Sequence, residues 1–300
     1  MDIRSAVVSL REPIITFITF RINGCSYRFC PYVPSKSERY PFDIPARICP
    51  SHDIQEAISF KIRQSSVMGF AVVTGGSRGL GFVVAKALKA AGNRVLIVSK
   101  DPERAAKSAA ENNFEFETVD FEDLAATQTK FEEIREKYGT PSILVLAHGV
   151  MSEKMSKTLR TTTEEWRRVM AINLDSTFIA VNTLAPSMAE ARNGRVIIFS
   201  ACLGRMSGPG NTGGLAPYRI SKSGVNALVR NLSHETGQGA RGFLVDAICP
   251  NHSRTDMGGP DAPRSAEEGA ATAIWLATRE FEAGKDLTGL FWEDQEVIPW

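Results

Sequence analysis

Tyr218 and Lys222 stand four residues apart in Tyr218-Arg-Ile-Ser-Lys222, which opens a stretch where Val225, Leu228, Val229 and Leu232 recur at helical spacing. On a helix such a pair shares one face. An ammonium beside a phenol stabilises the phenolate and draws a side chain of ordinary pKa about 10 towards general-acid work near neutrality. Far upstream, Thr74-Gly75-Gly76-Ser77-Arg78-Gly79-Leu80-Gly81 is a GxxxGxG loop directly after an apolar run. Glycines there let the backbone turn tightly and approach a pyrophosphate, whose charge sits against free N–H groups at the start of the next helix. Gly75, Ser77, Arg78, Gly79, Leu80 and Gly81 are the candidate contacts in that loop.

The next apolar run ends Val98-Ser99-Lys100-Asp101, at the place where an acidic side chain would accept hydrogen bonds from an adenosine ribose 2′-hydroxyl. Ser99 and Lys100 stand there instead. A missing carboxylate with two cations, Arg78 and Lys100, favours a 2′-phosphate and so NADP(H) over NAD(H). The plainer alternative is that both cations are solvated surface charges. Asp120, closing the third run, is a candidate for the adenine edge or an acid at a helix N-terminus.

These residues need a frame to hold them. Gly69–Thr74 suits a strand buried on both faces, and Leu80, Val83, Val84, Ala87, Leu88 and Ala91 follow at helical spacing until Gly92. Further runs at 94–98, 114–119, 142–147, 195–199 and 243–248 alternate with helix-length segments. One segment opens at Asp123 and closes at Gly139 before Pro141. Such alternation predicts an α/β fold built on a doubly wound parallel sheet. The 232 residues from Gly69 to Trp300 suit one domain.

Residues 1–66 read differently. They hold nine Lys/Arg against six Asp/Glu, three of the five cysteines, and prolines at 13, 31, 34, 41, 45 and 50. No period of 2 or 3.6 is sustained, so a poorly structured extension is expected, with domain 67–300 following it. A targeting segment for an organelle is one reading of its basic stretch, weakened by Glu12, Glu38 and Asp43. A disordered tail is the other.

Composition excludes several classes. The chain has 35 basic and 34 acidic residues, which removes the electrostatic case for nucleic-acid binding. Its best apolar run, Ile14 to Phe20, is far shorter than the roughly 20 residues of a membrane span. With no CxxC pair and no Cys/His cluster at zinc spacing, neither a disulfide scaffold nor a metal site is expected. A reducing, cytoplasmic setting is the expectation.

Together the motifs resemble the short-chain dehydrogenase/reductase family over residues 69–300. The resemblance is carried by TGGSRGLG at 74–81, Asn173 in Ile172-Asn-Leu174, YRISK at 218–222, and Cys249-Pro-Asn-His-Ser-Arg-Thr-Asp-Met-Gly-Gly259. The ending, Leu287-Thr-Gly-Leu-Phe-Trp to Ile298-Pro-Trp300, is similar to the carbonyl-reductase-like branch. The resemblance implies a Rossmann-type fold and NADP(H)-dependent hydride transfer with a small carbonyl or alcohol substrate. It further implies that Tyr218 donates the proton, that Lys222 lowers its pKa and holds the nicotinamide ribose, that Asn173 anchors a relay water, and that Thr255 meets the carboxamide. A homodimer or homotetramer is implied in the same way.

Three places depart from the family pattern. The Ser-Ser-x-x-Gly run reads Ser200-Ala201-Cys202-Leu203-Gly204, so the expected catalytic hydroxyl is lost at Ala201, and Ser200 replaces it only if the register shifts. The Asn-Asn-Ala-Gly run reads Leu146-Ala147-His148-Gly149, which leaves His148 as a titratable group near the site or a structurally satisfied histidine. The Pro-Gly turn reads Pro250-Asn251, where Asn tolerates left-handed backbone. Weakened chemistry is one expectation, and an impaired NADP(H)-binding protein with a sensor or interaction role is the other.

Overall fold

The computed structural model describes residues 18–22, 25–29, 69–153, 156–208, 213–282 and 286–300. The chain divides into two units, Met1–Phe60 and Lys61–Trp300. In the first, β1 (Ile18–Ile22) and β2 (Cys25–Phe29) pair antiparallel, Ile18 opposite Phe29. This hairpin falls between Pro13 and Pro31. The rest of residues 1–66, and with it the targeting question, lies outside the described residues.

The second unit builds one eight-stranded sheet. Its strands are β3 (Phe70–Thr74), β4 (Arg94–Ser99), β5 (Glu115–Thr118), β6 (Ile143–Leu146), β7 (Gly194–Phe199), β8 (Phe243–Ile248), β9 (Phe291–Glu293) and β10 (Glu296–Ile298). Their order is β10-β9-β8-β7-β6-β3-β4-β5. Every pairing from β5 across to β9 is parallel, and β10 alone runs antiparallel at the edge. Side chains alternate between two cores. Val72, Leu96, Leu144 and Val196 face one with Phe131, Leu184 and Val225, while Val73, Ile97, Val145 and Ile197 face the other with Val84, Leu88 and Ala273. Burial on both faces is why these strands read as continuous apolar runs.

The helices are α1 (Gly79–Ala90), α2 (Pro102–Asn112), α3 (Leu124–Tyr138), α4 (Thr163–Met170), α5 (Ser176–Glu190), α6 (Ala216–Glu235) and α7 (Ala266–Thr278). Asp123 caps α3 by accepting from Ala126 N–H at 2.9 Å, and Gly139 closes it, as the sequence predicts. A π-turn, Ala171–Asp175, joins α4 to α5 and carries Asn173. From β3 the chain winds through β4 to β5, then returns to lay β6 on the other flank of β3. That reversal opens a crevice at the carboxyl ends of β3 and β6, where ligands bind in doubly wound sheets. Among the described residues no helix is long and apolar enough to cross a membrane.

Strand β9 was not legible in the sequence, and one buried carboxylate holds its first residues. Asp246 on β8 is 2% exposed, and its Oδ1 accepts from Trp292 Nε1 at 3.0 Å and Leu290 N–H at 3.1 Å. Burial pushes its pKa up to about 6 from 3.8 despite those donors. The fold therefore favours the protonated form: the residue contributes fully below pH 3.8, and that contribution is lost as pH rises to about 6. The unfolding free energy of wild type minus that of Asp246→Asn should fall by on the order of 3 kcal/mol across this window in denaturant titrations. An unchanged difference would remove the carboxylate from this role.

Candidate active site

The glycine loop lies at the crevice. Gly75 has φ +66°, and a Cβ there would sit 3.0 Å from His148 N, on the backbone that follows β6. A Cβ on Gly81 would lie 2.5 Å from the Gly75 carbonyl oxygen, so the first turn of α1 packs directly on the loop. Helix α1 has neither a side-chain N-cap nor an acid in its first turn, which leaves its leading N–H groups for an anion. Ser77 is buried, and its carbonyl accepts from Ser108 Oγ at 3.0 Å. Leu80 packs into the core beside α7.

At the end of β4, Ser99 is 3% exposed and its Oγ has no hydrogen-bond partner. A buried hydroxyl left unpaired costs free energy and is satisfied by an incoming acceptor. The cations nearby are already engaged. Arg78 pairs with Asp256, Arg104 lies 3.7 Å from the same carboxylate, and Lys100 Nζ is 2.7 Å from Asp120 Oδ2. Asp120 also accepts from Glu122 N–H at 3.2 Å. Against the cost of burial, Lys100 holds its carboxyl below the usual range. It is a turn acid paired to Lys100. Arg104 belongs to no motif, and only the fold brings it to the cluster from α2.

Tyr218 and Lys222 open α6 and are both buried, at 6% and 5% exposure. Lys222 Nζ donates to the Phe199 carbonyl at 2.7 Å and lies 5.9 Å from the centroid of the Tyr218 ring. A Cβ on Gly149 would come within 3.6 Å of that ammonium and 3.2 Å of Asn173 Oδ1, so glycine there lets both side chains close in. Asn173 accepts from Val150 N–H at 2.8 Å and donates to the Val150 carbonyl and Ser221 Oγ, each at 3.0 Å. Burial lowers the Lys222 pKa to about 8. Tyr218 departs from expectation: burial, followed by the nearby Cys249 and Cys202, raises its pKa, and Lys222 does not draw it down.

Two sequence-predicted residues are not brought to the reacting position. Ser200 continues the β7 ladder, its N–H donating to the Ile248 carbonyl at 2.8 Å, and its hydroxyl turns into α6 to meet Asn226 Oδ1 at 2.5 Å. The β7 ladder continues in register through Ser200, so its hydroxyl stays with α6. Thr255 folds its hydroxyl into its own loop, accepting from Gly258 N–H at 3.1 Å, and turns its methyl towards Gly79. Asn251 does adopt left-handed backbone, with φ +55°.

His148 is a structural tie. Its Nδ1 lies 2.6 Å from Thr74 Oγ1, its Nε2 lies 2.8 Å from Ser176 Oγ, and its ring stacks on Phe121 with centroids 4.0 Å apart. The Ser176 hydroxyl donates to the Ile172 carbonyl at 2.7 Å, so it must accept from Nε2–H, and Nδ1 accepts from Thr74. The bond to Thr74 links the ends of β3 and β6, across which the Leu146 side chain offers no polar tie. Burial, then the Lys222 charge, lowers its pKa to about 3.

With this geometry in place, the comparisons identify the family. The short chain dehydrogenase model matches residues 69–265. The 3-oxoacyl-(acyl-carrier-protein) reductase FabG of Escherichia coli (strain K12) is 31% identical over 189 residues, covering 62% of this chain and 74% of that protein. Among solved structures, carbonyl reductase Sniffer of D. melanogaster superposes with TM-score 0.68 at 20% identity, covering 78% of this chain and 100% of that one. A blue fluorescent protein from a metagenomic library, in complex with NADPH, gives TM-score 0.66 at 24% identity over 76% and 96%. The chain belongs to the short-chain dehydrogenase family of oxidoreductases, which use nicotinamide cofactors. The uncapped α1 terminus, the glycine contact at His148 and the unpaired Ser99 hydroxyl fit such a group.

Two outcomes follow. Gly81→Ala should lower stability by about 1 to 3 kcal/mol in thermal denaturation although alanine is the better helix former, because its Cβ meets backbone. A neutral or stabilising effect would contradict the close approach. The His148 ring resonances should not titrate between about pH 8 and pH 5, whereas an exposed histidine would turn over near pH 6.5. A midpoint in that range would place the ring in solvent.

Proposed function

We propose that the chain is an NADP(H)-dependent carbonyl reductase that interconverts a small aldehyde or ketone with its alcohol, using Tyr218, Lys222 and Asn173 and working without the family serine. The observation that carries this reading is the Lys222 ammonium, buried one helical turn from Tyr218 and facing Asn173 across Gly149. A bound nicotinamide supplies or accepts the hydride. Tyr218 gives its proton to the carbonyl oxygen as charge develops there. Lys222, still largely protonated at neutral pH, stabilises the phenolate left behind. Asn173 holds the loop at Val150 against α6 beside Lys222.

The preference for a 2′-phosphate is supported by Ser99 in place of an acid and by the cluster of Arg78, Lys100 and Arg104 beside it. Binding then exchanges the carboxylates Asp256 and Asp120 for phosphate oxygens. Replacing Ser99 with Asp should shift the ratio of NADPH to NADH affinity towards NADH by roughly tenfold or more in fluorescence titrations, through like-charge repulsion. An unchanged ratio would count against 2′-phosphate recognition here.

The reaction is tested by following NADPH oxidation with a panel of aldehydes, ketones and quinones. Wild type should turn over, Tyr218→Phe should lose about 100-fold or more, and Ala201→Ser should gain about tenfold or more by restoring a donor to the carbonyl oxygen. Equal rates in wild type and Tyr218→Phe would overturn the reading. Silence in wild type with activity in Ala201→Ser would mark a cofactor cradle that has lost its chemistry.

A further inference from the structure

Strands β7 and β8 run parallel with Phe199 opposite Ile248, and each delivers a cysteine just past its carboxyl end. Cys249 follows β8 directly. Cys202 opens the short 3₁₀ turn Cys202–Gly204, one residue after Ala201. The Cys202 N–H donates to Cys249 Sγ at 3.1 Å, which brings the two cysteines into direct contact. Their surroundings differ: Cys249 is 2% exposed, while Cys202 is only partly buried.

The turn is fixed in place. The Gly204 carbonyl accepts from Ser223 Oγ at 2.8 Å, and a Cβ on Gly204 would lie 2.7 Å from the Lys222 carbonyl carbon. The turn that Cys202 opens therefore packs on the helix that carries Tyr218 and Lys222. The contact with Cys249 holds the Cys202 thiol below its ordinary range against the cost of burial, and Arg205 assists while Glu293 opposes. The same contact, followed by burial, pushes the Cys249 thiol up. A partly exposed thiolate beside a shielded, protonated partner is the arrangement in which one sulfur is oxidised and the other resolves it.

We propose that Cys202 and Cys249 form a reversible dithiol–disulfide site through which hydrogen peroxide acts on the Tyr218 pocket. The Cys202 thiolate attacks one peroxide oxygen, the O–O bond breaks, and the departing hydroxide leaves as water after taking a proton, giving the sulfenic acid. Cys249 sulfur, losing its proton, then attacks Cys202 sulfur. The S–O bond breaks and a second water departs. Two thiols are oxidised by two electrons and one peroxide is reduced to two waters, and an external dithiol reverses the change. The new bond tethers the end of β8 to the turn beside Ala201 and removes the thiolate near Tyr218.

Formation of the bond does not depend on the proposed reaction, so its test is read by mass. Full-length protein carrying Cys25→Ser, Cys30→Ser and Cys49→Ser is treated with hydrogen peroxide, digested with trypsin and mapped. Expected are a mass loss of about 2 Da and a linked pair of peptides, residues 196–205 and 242–254, released by dithiothreitol. Adding Cys249→Ser should abolish the link and leave Cys202 carrying one or more oxygens. Where NADPH oxidation is measurable, its loss and recovery should track the link. Both thiols still alkylatable after peroxide, or Cys202 oxidised to sulfinic acid with Cys249 free, would overturn the proposal, whether or not the protein turns over a carbonyl.

Discussion

The site depends on one buried cation. Lys222 carries an ammonium into an interior where an unpaired charge would be costly, and it is held there by a 2.7 Å hydrogen bond to the carbonyl of Phe199, the last residue of β7. That bond fixes α6 against the sheet and sets the height of Tyr218 one turn earlier. Gly149 gives the ammonium room on the side of β6 and brings Asn173 to the same place. The interior lowers the lysine's proton affinity to about 8 and raises that of Tyr218, so the two groups start further apart than free side chains would. Apolar burial alone therefore makes Tyr218 a weaker acid. A hydrogen-bonding carbonyl and a neighbouring positive charge have to reverse that when substrate and cofactor arrive.

The crevice is built by the same economy of space. The loop backbone at Gly75 lies against the start of the His148 segment, and α1 begins directly upon it. The His148 ring ties Thr74 to Ser176 and stacks on Phe121. Its low proton affinity keeps it neutral, so it adds rigidity to the switch point and no charge.

Much of this was legible in the sequence. The central strands announce themselves because both faces are buried, so that Val72 and Val73 serve different cores yet are both apolar. Asp123 and Gly139 mark α3 through cap chemistry. The Tyr218–Lys222 pair is visible from spacing alone. Strand β9, only three residues long, carries too little pattern to be seen, and its place depends on Asp246, 44 and 46 positions away from the Leu290 and Trp292 donors it accepts from. The rotation of Ser200 towards Asn226 and the pairing of Arg78 with Asp256 are settled by tertiary packing, and no local pattern encodes them. The neighbouring thiols were visible singly, but only the β7–β8 register makes them a pair.

The central claim is that this buried Tyr–Lys constellation supports hydride transfer to a carbonyl without the family serine. Mass spectrometry of the alcohol formed from a carbonyl substrate and NADPH carrying deuterium at both nicotinamide C4 positions tests it most directly. One deuterium on the former carbonyl carbon in wild type, with no labelled product from Tyr218→Phe, is the expected result. Unlabelled alcohol, or labelled alcohol formed equally well by Tyr218→Phe, would contradict it.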